Sequence, residues 1–408
     1  MRGFFFPFIA VSIYFFRMKK TLEQNKLTIF LEGRVTSSNA QPIQQEIEQF
    51  IASNVVKDLV LDGTSLDYIS SAGLRIIFTL RNKFPHLEIV NVNLEVYDIL
   101  NMTGFTQLIT IHRKLAEIDV TGMQIIGEGG TGIVYRMDKD TILKVYKRDL
   151  SIKDIEKEMN LCKSAFVLGI PTAITYDVVK VGNRFASRFE MLDCDTLGEV
   201  ILKHPKQFES YLDLYADLLL KINSTSSPDL VLPNKKEQYI EHAKLCVPYL
   251  DKEKGDKLIS LMENVPDRNT FIHGDCHVKN IMSDGSNIFL IDMATLSMGY
   301  PIFELGALYR TFYGFDFLDP GNAERFLELP RDILDKMFEG VMRRYLLEYN
   351  EKILDKLALT GCCYLLSWGL RHEKDPEKRV EDTAKRLTSL IDRVDDLTLP
   401  LKEYVEAK

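Results

Sequence analysis

The sequence predicts two domains, an α/β sheet with covering helices followed by a larger α+β domain. Three observations indicate this order. Strand-like runs alternate with amphipathic segments up to about residue 115, a glycine-rich stretch follows at residues 127–132, and long apolar-periodic segments fill the C-terminal half. The chain has 408 residues, enough for two or three domains that each bury a core.

The overall composition excludes several classes of protein. Hydrophobic residues make up 46% and charged residues 27% of the chain, so disorder and fibrous repeats are excluded. The formal net charge is −8, and there is no Lys/Arg-rich run. Because nucleic acid is held by clustered basic side chains, we expect no nucleic-acid partner.

The cysteines predict buried, reduced thiols and a cytoplasmic protein. They show no CxxC spacing and lie mostly inside apolar stretches, which favours buried thiols over the alternative of a zinc site. The adjacent pair near residue 362 is expected in a buried helix. The six are Cys162, Cys194, Cys246, Cys276, Cys362 and Cys363.

Residues 1–17 form an apolar N-terminal extension. The run Phe4–Phe16 is short for a membrane span, which needs about 20 residues. Basic residues flank both ends, and no small-x-small cleavage site follows it. Three interpretations stay open: a true start at Met18, which we favour, a membrane-attached segment, or a cleaved signal. A membrane partner is expected only if these residues are present in the cell.

The first domain is predicted from alternating strand and helix patterns. Continuous apolar runs predict strands, and apolar residues at helical spacing predict helices. The predicted strands are 27–31, 59–62, 87–92 and 108–111, and the predicted helices are 42–52, 71–82 and 95–102, with a turn at 36–39.

Ser71 lies where the second predicted helix begins. A serine there serves as a helix cap, which is the structural interpretation. The same position suits phosphorylation, because unpaired amides and the helix dipole stabilise an added phosphate.

Residues 27–115 resemble the STAS domain of bacterial anti-sigma factor antagonists. The resemblance rests on Gly33, Arg34 and Ser38–Ala40, and on Ile69–Leu74. It implies that Ser71 is a phospho-acceptor and that a protein partner binds this domain. Ser70 stands where that family commonly has aspartate, so a docking or dimerisation module without phosphorylation is the alternative.

The glycine-rich stretch contains Gly127, Gly129, Gly130 and Gly132. The same pattern occurs in dinucleotide folds, but there a helix follows. Here the β-type run Ile133–Tyr135 follows, which favours a hairpin lying over phosphates.

Lys144 lies inside the apolar predicted strand 141–146. A lysine in such a place needs anionic partners unless it points out at an edge. The predicted helix 152–164 carries Glu156 and Glu158, and we favour Glu158 because it lies nearer the apolar face. A solvated acidic helix face is the alternative.

The segment 271–280 carries the residues expected to act in chemistry. His273 and Asp275 are followed by Asn280, and Asp292 comes after the strand-like run 288–291. Phosphoryl transfer needs a carboxylate near the attacking hydroxyl and oxygen ligands for Mg²⁺, and this set supplies both. A metal site made of His273, Asp275 and His277 is the weaker alternative, because it leaves the glycines and Lys144 unexplained.

Together these motifs resemble the aminoglycoside and choline phosphotransferase branch of the protein-kinase-like superfamily. The branch has HGD, as at His273–Asp275, and an apolar-Asp-apolar segment, as at Ile291–Met293. Tyr300, Pro301, Glu304 and Leu305 match its downstream positions, with Tyr300 and Glu304 in place of aspartates. The resemblance implies that Asp275 is the catalytic base, that Asn280 and Asp292 bind Mg²⁺, and that Lys144 and Glu158 position ATP.

The resemblance also implies a bilobal α+β protein-kinase-like fold. Residues 192–197 after the strand 184–191 resemble the hinge between lobes, where backbone groups from Glu190 to Leu192 would bind adenine. The implied organisation is a STAS domain at 18–115, a linker at 116–122, a small lobe at about 123–192 and a helical large lobe at about 193–408. Helices are expected at 212–222, 333–349 and 353–368.

The predicted function is ATP-dependent transfer of phosphate to a hydroxyl of a small molecule, with the STAS domain as a regulatory or docking module. Two alternatives stay open. The second domain phosphorylates Ser71, or it binds nucleotide without turnover as a signalling scaffold.

Overall fold

The computed structural model describes residues 18–147, 150–226, 232–372 and 377–403. The interpretations of residues 1–17 lie outside these residues. The chain divides into two compact units between Ile118 and Asp119, inside the segment 116–122 expected as a linker. Each unit is described by itself.

The first unit is a sheet with helices, as predicted, and the sheet has five strands. The strands stand in the order β1-β2-β3-β4-β5, and all neighbours are parallel except the β1/β2 hairpin. The elements are β1 Lys20–Glu23, β2 Lys26–Val35, α1 Ala40–Ala52, β3 Asp58–Ile69, α2 Ser71–Lys83, β4 Glu88–Val92, α3 Leu94–Met102 and β5 Thr110–Arg113.

Alternating residues of the central strands and one face of each helix form the core of this unit. Leu27 and Ile29 on β2 are fully buried, and α1 adds Ile43 and Ile47 at a spacing of four residues. A strand period of two and a helix period of 3.6 therefore place apolar side chains in one shared interior.

Two strands of the first unit differ from the prediction. The strand β1 was not predicted. The strand β3 continues past Asp62 and Gly63 to Ile69, because pairing with β2 outweighs the local turn tendency of Asp-Gly. A Cβ on Gly63 would lie 2.6 Å from Val92 Cγ1, so glycine permits close packing there instead of a turn.

The second unit begins with a five-stranded antiparallel sheet and one helix, as a kinase-like small lobe requires. The strand order is β6-β7-β8-β10-β9. The elements are β6 Gln124–Glu128, β7 Gly132–Arg136, β8 Thr141–Tyr146, α4 Ile152–Val167, β9 Thr175–Val181 and β10 Arg184–Glu190. A capping box of Ser151 and Asp154 starts α4.

The rest of the second unit is helical, with two small sheets that carry the loops of the site. The strands are β11 Asp195–Thr196, β12 Phe271–Ile272, β13 Ile281–Ser283, β14 Ile288–Leu290 and β15 Ser297–Met298. The helices are α5 Leu197–Lys203, α6 Phe208–Ser224, α7 Lys235–Cys246, α8 Lys252–Glu263, α9 Ile302–Tyr309, α10 Phe315–Leu318, α11 Asn322–Leu327, α12 Arg331–Tyr345, α13 Glu351–His372 and α14 Glu377–Arg393.

The helix α13 is the central core helix of the second unit. By length and composition it is the one helix among the described residues that could cross a membrane, but 67% of its apolar window is buried inside the fold. It packs on α7, α9 and α14 and contains Cys362 and Cys363, both buried. A Cβ on Gly306 of α9 would lie 2.7 Å from Thr360 Cγ2, so α9 and α13 approach closely.

Two further expectations were tested by this unit. The predicted helix 333–349 ends at Tyr345, because Leu346 pairs with Leu401 and the Leu347 amide donates to the Pro400 carbonyl at 2.8 Å. Five of the six cysteines are buried, Cys194 is partly exposed, and none forms a disulfide.

Candidate active site

The predicted glycine hairpin is formed by β6 and β7. The Gly129 amide donates to the Gly132 carbonyl at 3.0 Å and closes the turn. A Cβ on Gly132 would lie 2.7 Å from the Val145 carbonyl oxygen, so packing against β8 requires glycine there. None of the described atoms lies within 4 Å of a Cβ placed on Gly129 or Gly130, and the nearest to one on Gly127 is 3.7 Å away. The tip of the hairpin is therefore open on the side where a ligand could approach.

Lys144 of β8 contacts Glu158, the carboxylate that the sequence favoured as its partner, and also Asp292, which the sequence did not connect with it. Its Nζ lies 2.9 Å from Glu158 Oε1 of α4 and 3.4 Å from Asp292 Oδ1. The lysine side chain is only 12% exposed. Burial alone would lower the pKa of Lys144, but the charges of Asp292 and Glu158 outweigh it and raise that pKa. The ammonium group is therefore charged in a desolvated place.

The backbone of the loop after β12 is held by a buried carboxylate. Glu304 is fully buried and accepts hydrogen bonds from the amides of His273 at 2.6 Å and Gly274 at 3.0 Å. Gly274 has φ of +78°, which favours glycine, and the Tyr215 hydroxyl donates to the Cys276 carbonyl. These contacts fix the position of Asp275.

The Asp275 side chain is partly exposed and surrounded by nitrogen atoms. Arg310 Nη2 lies 3.3 Å from its Oδ1, and His277 Nε2 lies 3.6 Å from its Oδ2. Burial would raise the pKa of Asp275, but contact with His277 and the charges of His277, Arg310 and His273 lower it to about 2. Asp275 is therefore a carboxylate throughout the neutral range.

Asn280, which contacts Asp275, and Asp292, which follows the segment bonded to Asn280, both provide side-chain oxygen atoms. Asn280 Nδ2 donates to the Asp275 carbonyl at 2.9 Å, which leaves the amide oxygen of its side chain for a ligand. The Ile291 amide donates to the Asn280 carbonyl at 2.9 Å and places the two segments side by side. Asp292 has φ of +63°, a strained conformation for aspartate that costs about 1–3 kcal/mol and is typical of functional sites.

These two residues fit a magnesium site. Mg²⁺ is usually bound by one or two protein oxygen ligands together with substrate phosphates and water, so an amide oxygen and a carboxylate suffice. Within the described part of the chain, no three His, Cys, Asp or Glu side chains are placed to hold a metal. The alternative of a site from His273, Asp275 and His277 is not formed there: His273 Nδ1 accepts from the Asp275 amide at 3.3 Å instead.

The expected hinge contacts are only partly available. The Glu190 amide donates to the Ile174 carbonyl at 2.8 Å, and the Met191 amide to the Asp140 carbonyl at 2.8 Å. Strand pairing to the end of β10 therefore engages the Glu190 and Met191 amides, and adenine binding by backbone groups from Glu190 to Leu192 stays a prediction. In the described structure the Leu192 amide has no hydrogen-bond partner and remains the candidate donor.

Ser71 lies in the first unit as the first residue of α2, where it is exposed. The expected capping position belongs instead to Ser70, one residue earlier, whose side chain makes no capping hydrogen bond. The Ser70 Oγ is buried without a partner among the described atoms. The structural interpretation of Ser71 as a cap is therefore wrong.

Sequence reasoning missed a group of cationic residues beside Asp275. Arg310 follows the apolar helix α9, and Lys235 is the first residue of α7. An arginine in a predicted apolar core was a usable signal, since such a charge is rarely buried without a partner. Lys235 gave none, because lysines at helix ends are ordinarily solvated.

Comparison with known proteins identifies both units. Residues 123–333, more than half of the chain, match the phosphotransferase enzyme family. The chain belongs to this family. Residues 17–118 match the STAS domain. Both resemblances and the predicted fold classes are thereby confirmed.

Several solved structures are similar to parts of this chain. A streptomycin and ATP complex of the aminoglycoside phosphotransferase APH(2'')-IIa is 17% identical, with a TM-score of 0.46, and the match covers 75% of this chain and 99% of that one. A choline/ethanolamine kinase family protein from Mesorhizobium loti is 14% identical, with a TM-score of 0.42 and coverage of 66% and 88%.

A third structure, described as an anti-sigma factor antagonist from Thermotoga maritima, is similar to the first unit, with 14% identity and a TM-score of 0.22. The match covers 23% of this chain and 85% of that one. A search of curated proteins found no match to the chain.

Proposed function

We propose that the second unit transfers the γ-phosphate of ATP to a hydroxyl group of a small-molecule acceptor and requires Mg²⁺. One observation carries this proposal. Lys144, paired with Glu158, lies 3.4 Å from Asp292, and the loop holding Asp275 and Asn280 is bonded to the segment that leads into Asp292. A charged lysine, two candidate oxygen ligands and the ionised Asp275 are therefore connected in one site, and β8, which carries the lysine, pairs with β7 of the open glycine hairpin.

The site residues have separate roles in this reaction. Lys144 neutralises phosphate charge, and Glu158 holds its ammonium group in place. Asp275 orients the acceptor hydroxyl and takes its proton as the oxygen–phosphorus bond forms and ADP leaves. Because the pKa of Asp275 is low, it receives that proton late, when the hydroxyl has become acidic. Mg²⁺, when bound at Asn280 and Asp292, would neutralise phosphate charge.

The substitution Asp275→Asn tests the proposal. It keeps the shape of the side chain but removes the proton acceptor, so we expect the rate of phosphate transfer to fall by about 10²–10⁴-fold. ATP affinity, measured by calorimetry, should change little, because Asp275 faces the acceptor. The assay measures ADP release with a panel of hydroxyl compounds.

Asp267→Asn is the matched control for this substitution. Asp267 is an exposed aspartate whose ion-pair partner is Lys236 at 2.9 Å, so this variant should retain the wild-type rate. Transfer by Asp275→Asn at the wild-type rate would contradict the assigned role. ATP binding without transfer to any acceptor, in wild type and variant alike, would favour a nucleotide-binding scaffold.

We propose that the STAS unit is a regulatory or docking module. Its support is the family match and the exposed position of Ser71 at the start of α2, where amides at a helix N-terminus favour a phosphate group. Phosphopeptide mass spectrometry of the ATP-treated protein tests whether Ser71 is itself the acceptor. Phosphate on Ser71 in wild type and not in Asp275→Asn would make the module an output of the second unit.

A further inference from the structure

The two carboxylate oxygens of Asp275 have different neighbours: Oδ2 lies 3.3 Å from Asn280 Nδ2, and Oδ1 lies 3.3 Å from Arg310 Nη2. Three elements of the large lobe contribute side chains on the Arg310 side: α7, α13 and the π-helical turn 310–314 that follows α9. We call these side chains the cationic cluster. Its members are Lys235, His242, Arg310, Tyr364 and Arg371.

Arg310 connects the cationic cluster to the reacting carboxylate. Its Nη2 lies 3.3 Å from Asp275 Oδ1, and its guanidinium carbon lies 4.3 Å from the centre of the Tyr364 ring. The residue is only 8% exposed. Its other guanidinium nitrogens donate to no acceptor among the described residues, so a planar fork of donors remains next to Asp275.

Lys235 adds a second cation at the same loop. Its Nζ lies 3.1 Å from the point that a Cβ on Gly274 would occupy, which places the ammonium group against the backbone next to Asp275. In the described parts of the chain this ammonium group has neither a hydrogen bond nor an ion pair. Burial and the charge of Arg310 lower the pKa of Lys235, although the charge of Glu304 acts to raise it. A half-buried ammonium group without a partner is costly unless a ligand supplies the anion.

His242 and Arg371 extend the cationic cluster. His242 Nδ1 lies 3.0 Å from Ser367 Oγ and 3.3 Å from Arg371 Nη2, and its ring stands edge-on to Tyr364 at 5.1 Å. Burial and the charges of Arg371, Lys235 and Arg310 lower the pKa of His242 to about 4. The imidazole is therefore neutral at pH 7 and accepts hydrogen bonds at Nδ1.

Among the described residues, three carboxylates act on these charges. Glu304 is near, but both of its oxygens accept hydrogen bonds from the amides of His273 and Gly274. Asp275 pairs with Arg310, and Glu241, whose charge acts on His242, pairs with Lys244 at 2.7 Å. Each of these carboxylates therefore already has a partner, and the ammonium group of Lys235 is left without one among the described residues.

We propose that the acceptor is a hydroxyl compound that carries an anionic group, either a carboxylate or a phosphate monoester, which binds to the cationic cluster. The proposal rests on the proposed phosphotransferase function. An anion would bind Lys235 and the free donors of Arg310 and so hold its hydroxyl beside Asp275. A polycationic acceptor such as streptomycin, the ligand in one similar structure, would meet repulsion from the same residues.

A matched series of acceptors tests this proposal on the full-length protein with ATP and Mg²⁺. Glycerate, glycerol 3-phosphate, glycerol and 3-amino-1,2-propanediol share a diol but differ in charge. We expect kcat/KM to be highest for one of the two anions and lowest for the amine. Comparing glycerate with glycerol 3-phosphate separates a carboxylate from a phosphate. A preference for glycerol or the amine would overturn the proposal while leaving the phosphotransferase function intact.

Charge variants locate the effect. Lys235→Gln should raise the KM for the preferred anion about tenfold or more, with a smaller effect on kcat. Lys235→Arg keeps the positive charge, so its KM should stay close to that of the wild type. Arg371→Gln is the second variant, at an exposed position near the end of α13. Lys236→Gln removes a charge from the same helix, where Lys236 pairs with Asp267, and should leave the KM unchanged. An anion preference that survives both Lys235→Gln and Arg371→Gln would overturn the assigned site.

Calorimetry on the ADP-loaded protein covers the case of very slow transfer. Either anion should then bind more tightly than glycerol, and equal or weaker binding would overturn the proposal. Failure of ATP to bind at all is a separate result, because it would contradict the phosphotransferase function itself.

Discussion

At the scale of single residues, Lys144 illustrates how a buried charge depends on its neighbours. A lysine inside an apolar strand is unfavourable alone, but Glu158 at 2.9 Å and Asp292 at 3.4 Å raise its pKa. Glu158 was predicted from its position on the helix. Asp292 is 148 residues away in the chain, and no local pattern could reveal its contact with Lys144.

The substitution Glu158→Gln should lower kcat/KM for ATP by about 10- to 100-fold, as for a residue that orients another ligand. Without the glutamate charge, Lys144 would be drawn toward Asp292 and away from the phosphates. Steady-state kinetics with varied ATP measures the effect. Glu156→Gln removes the same charge from the same helix and should stay within about threefold of wild type, in the range of surface changes. Equal losses in the two variants would indicate a general electrostatic effect instead.

At the scale of elements, the glycine hairpin has two kinds of glycine. Gly132 packs against the backbone of β8, while Gly129 and Gly130 have open space around them. The sequence motif cannot distinguish a glycine needed for packing from one that leaves space for a ligand, because the residue is the same in both roles. The distance of 2.7 Å from a Gly132 Cβ to the Val145 oxygen separates them.

Gly132→Ala and Gly130→Ala should therefore change different properties, the first stability and the second ATP binding. The first should lower the free energy of unfolding by about 1–3 kcal/mol, because a backbone carbonyl cannot move aside easily. The second should leave stability within about 0.5 kcal/mol but weaken ATP binding, since an added methyl group occupies the open tip. Urea denaturation and nucleotide titration measure the two quantities. Loss of stability in Gly130→Ala would contradict this assignment.

The π-helical turn 310–314 is an element that sequence reasoning did not predict. It follows α9 directly, and a Cβ on Gly314 would lie 2.6 Å from Leu365 Cδ1 of α13. A π-turn inserts a residue into a helix and often occurs at functional sites. Here it places Arg310 at 3.3 Å from Asp275.

At the scale of the whole molecule, each of the two units has its own hydrophobic core. The first core is formed by β2, β3, β4 and the helices α1, α2 and α3, and the second fills the large lobe around α13. A core built from one continuous segment predicts independent folding, because few stabilising contacts come from elsewhere in the chain.

A fragment of residues 18–118 should therefore fold alone. We expect a single cooperative thermal transition, monitored by circular dichroism, and a well-dispersed amide NMR spectrum. The matched control is Ile47→Asp in the fragment, which places a charge at a buried position and should abolish the transition. A wild-type fragment without cooperative unfolding would show that the first unit needs the rest of the chain.

The sequence by itself determined the order of domains, their classes and most of the candidate site. Strand and helix periods are local, and the motifs around Gly127, Lys144, Asp275 and Asp292 each occupy a short segment with its own spacing. Local patterns therefore sufficed to predict Glu158, Asp275, Asn280 and Asp292 as site residues, but not Arg310 and Lys235 beside Asp275.

Only the tertiary structure decided the contacts between distant segments. The length of β3, the blocked amide of Glu190 and the Arg310–Asp275 pair all depend on atoms far apart in the chain. Lys235 is the clearest example, because a lysine at a helix start is ordinarily solvated, yet packing of α7 on the loop of Gly274 half-buries it. The positive charge beside Asp275 comes from side chains of three elements, and the sequence pattern of any single element does not predict it.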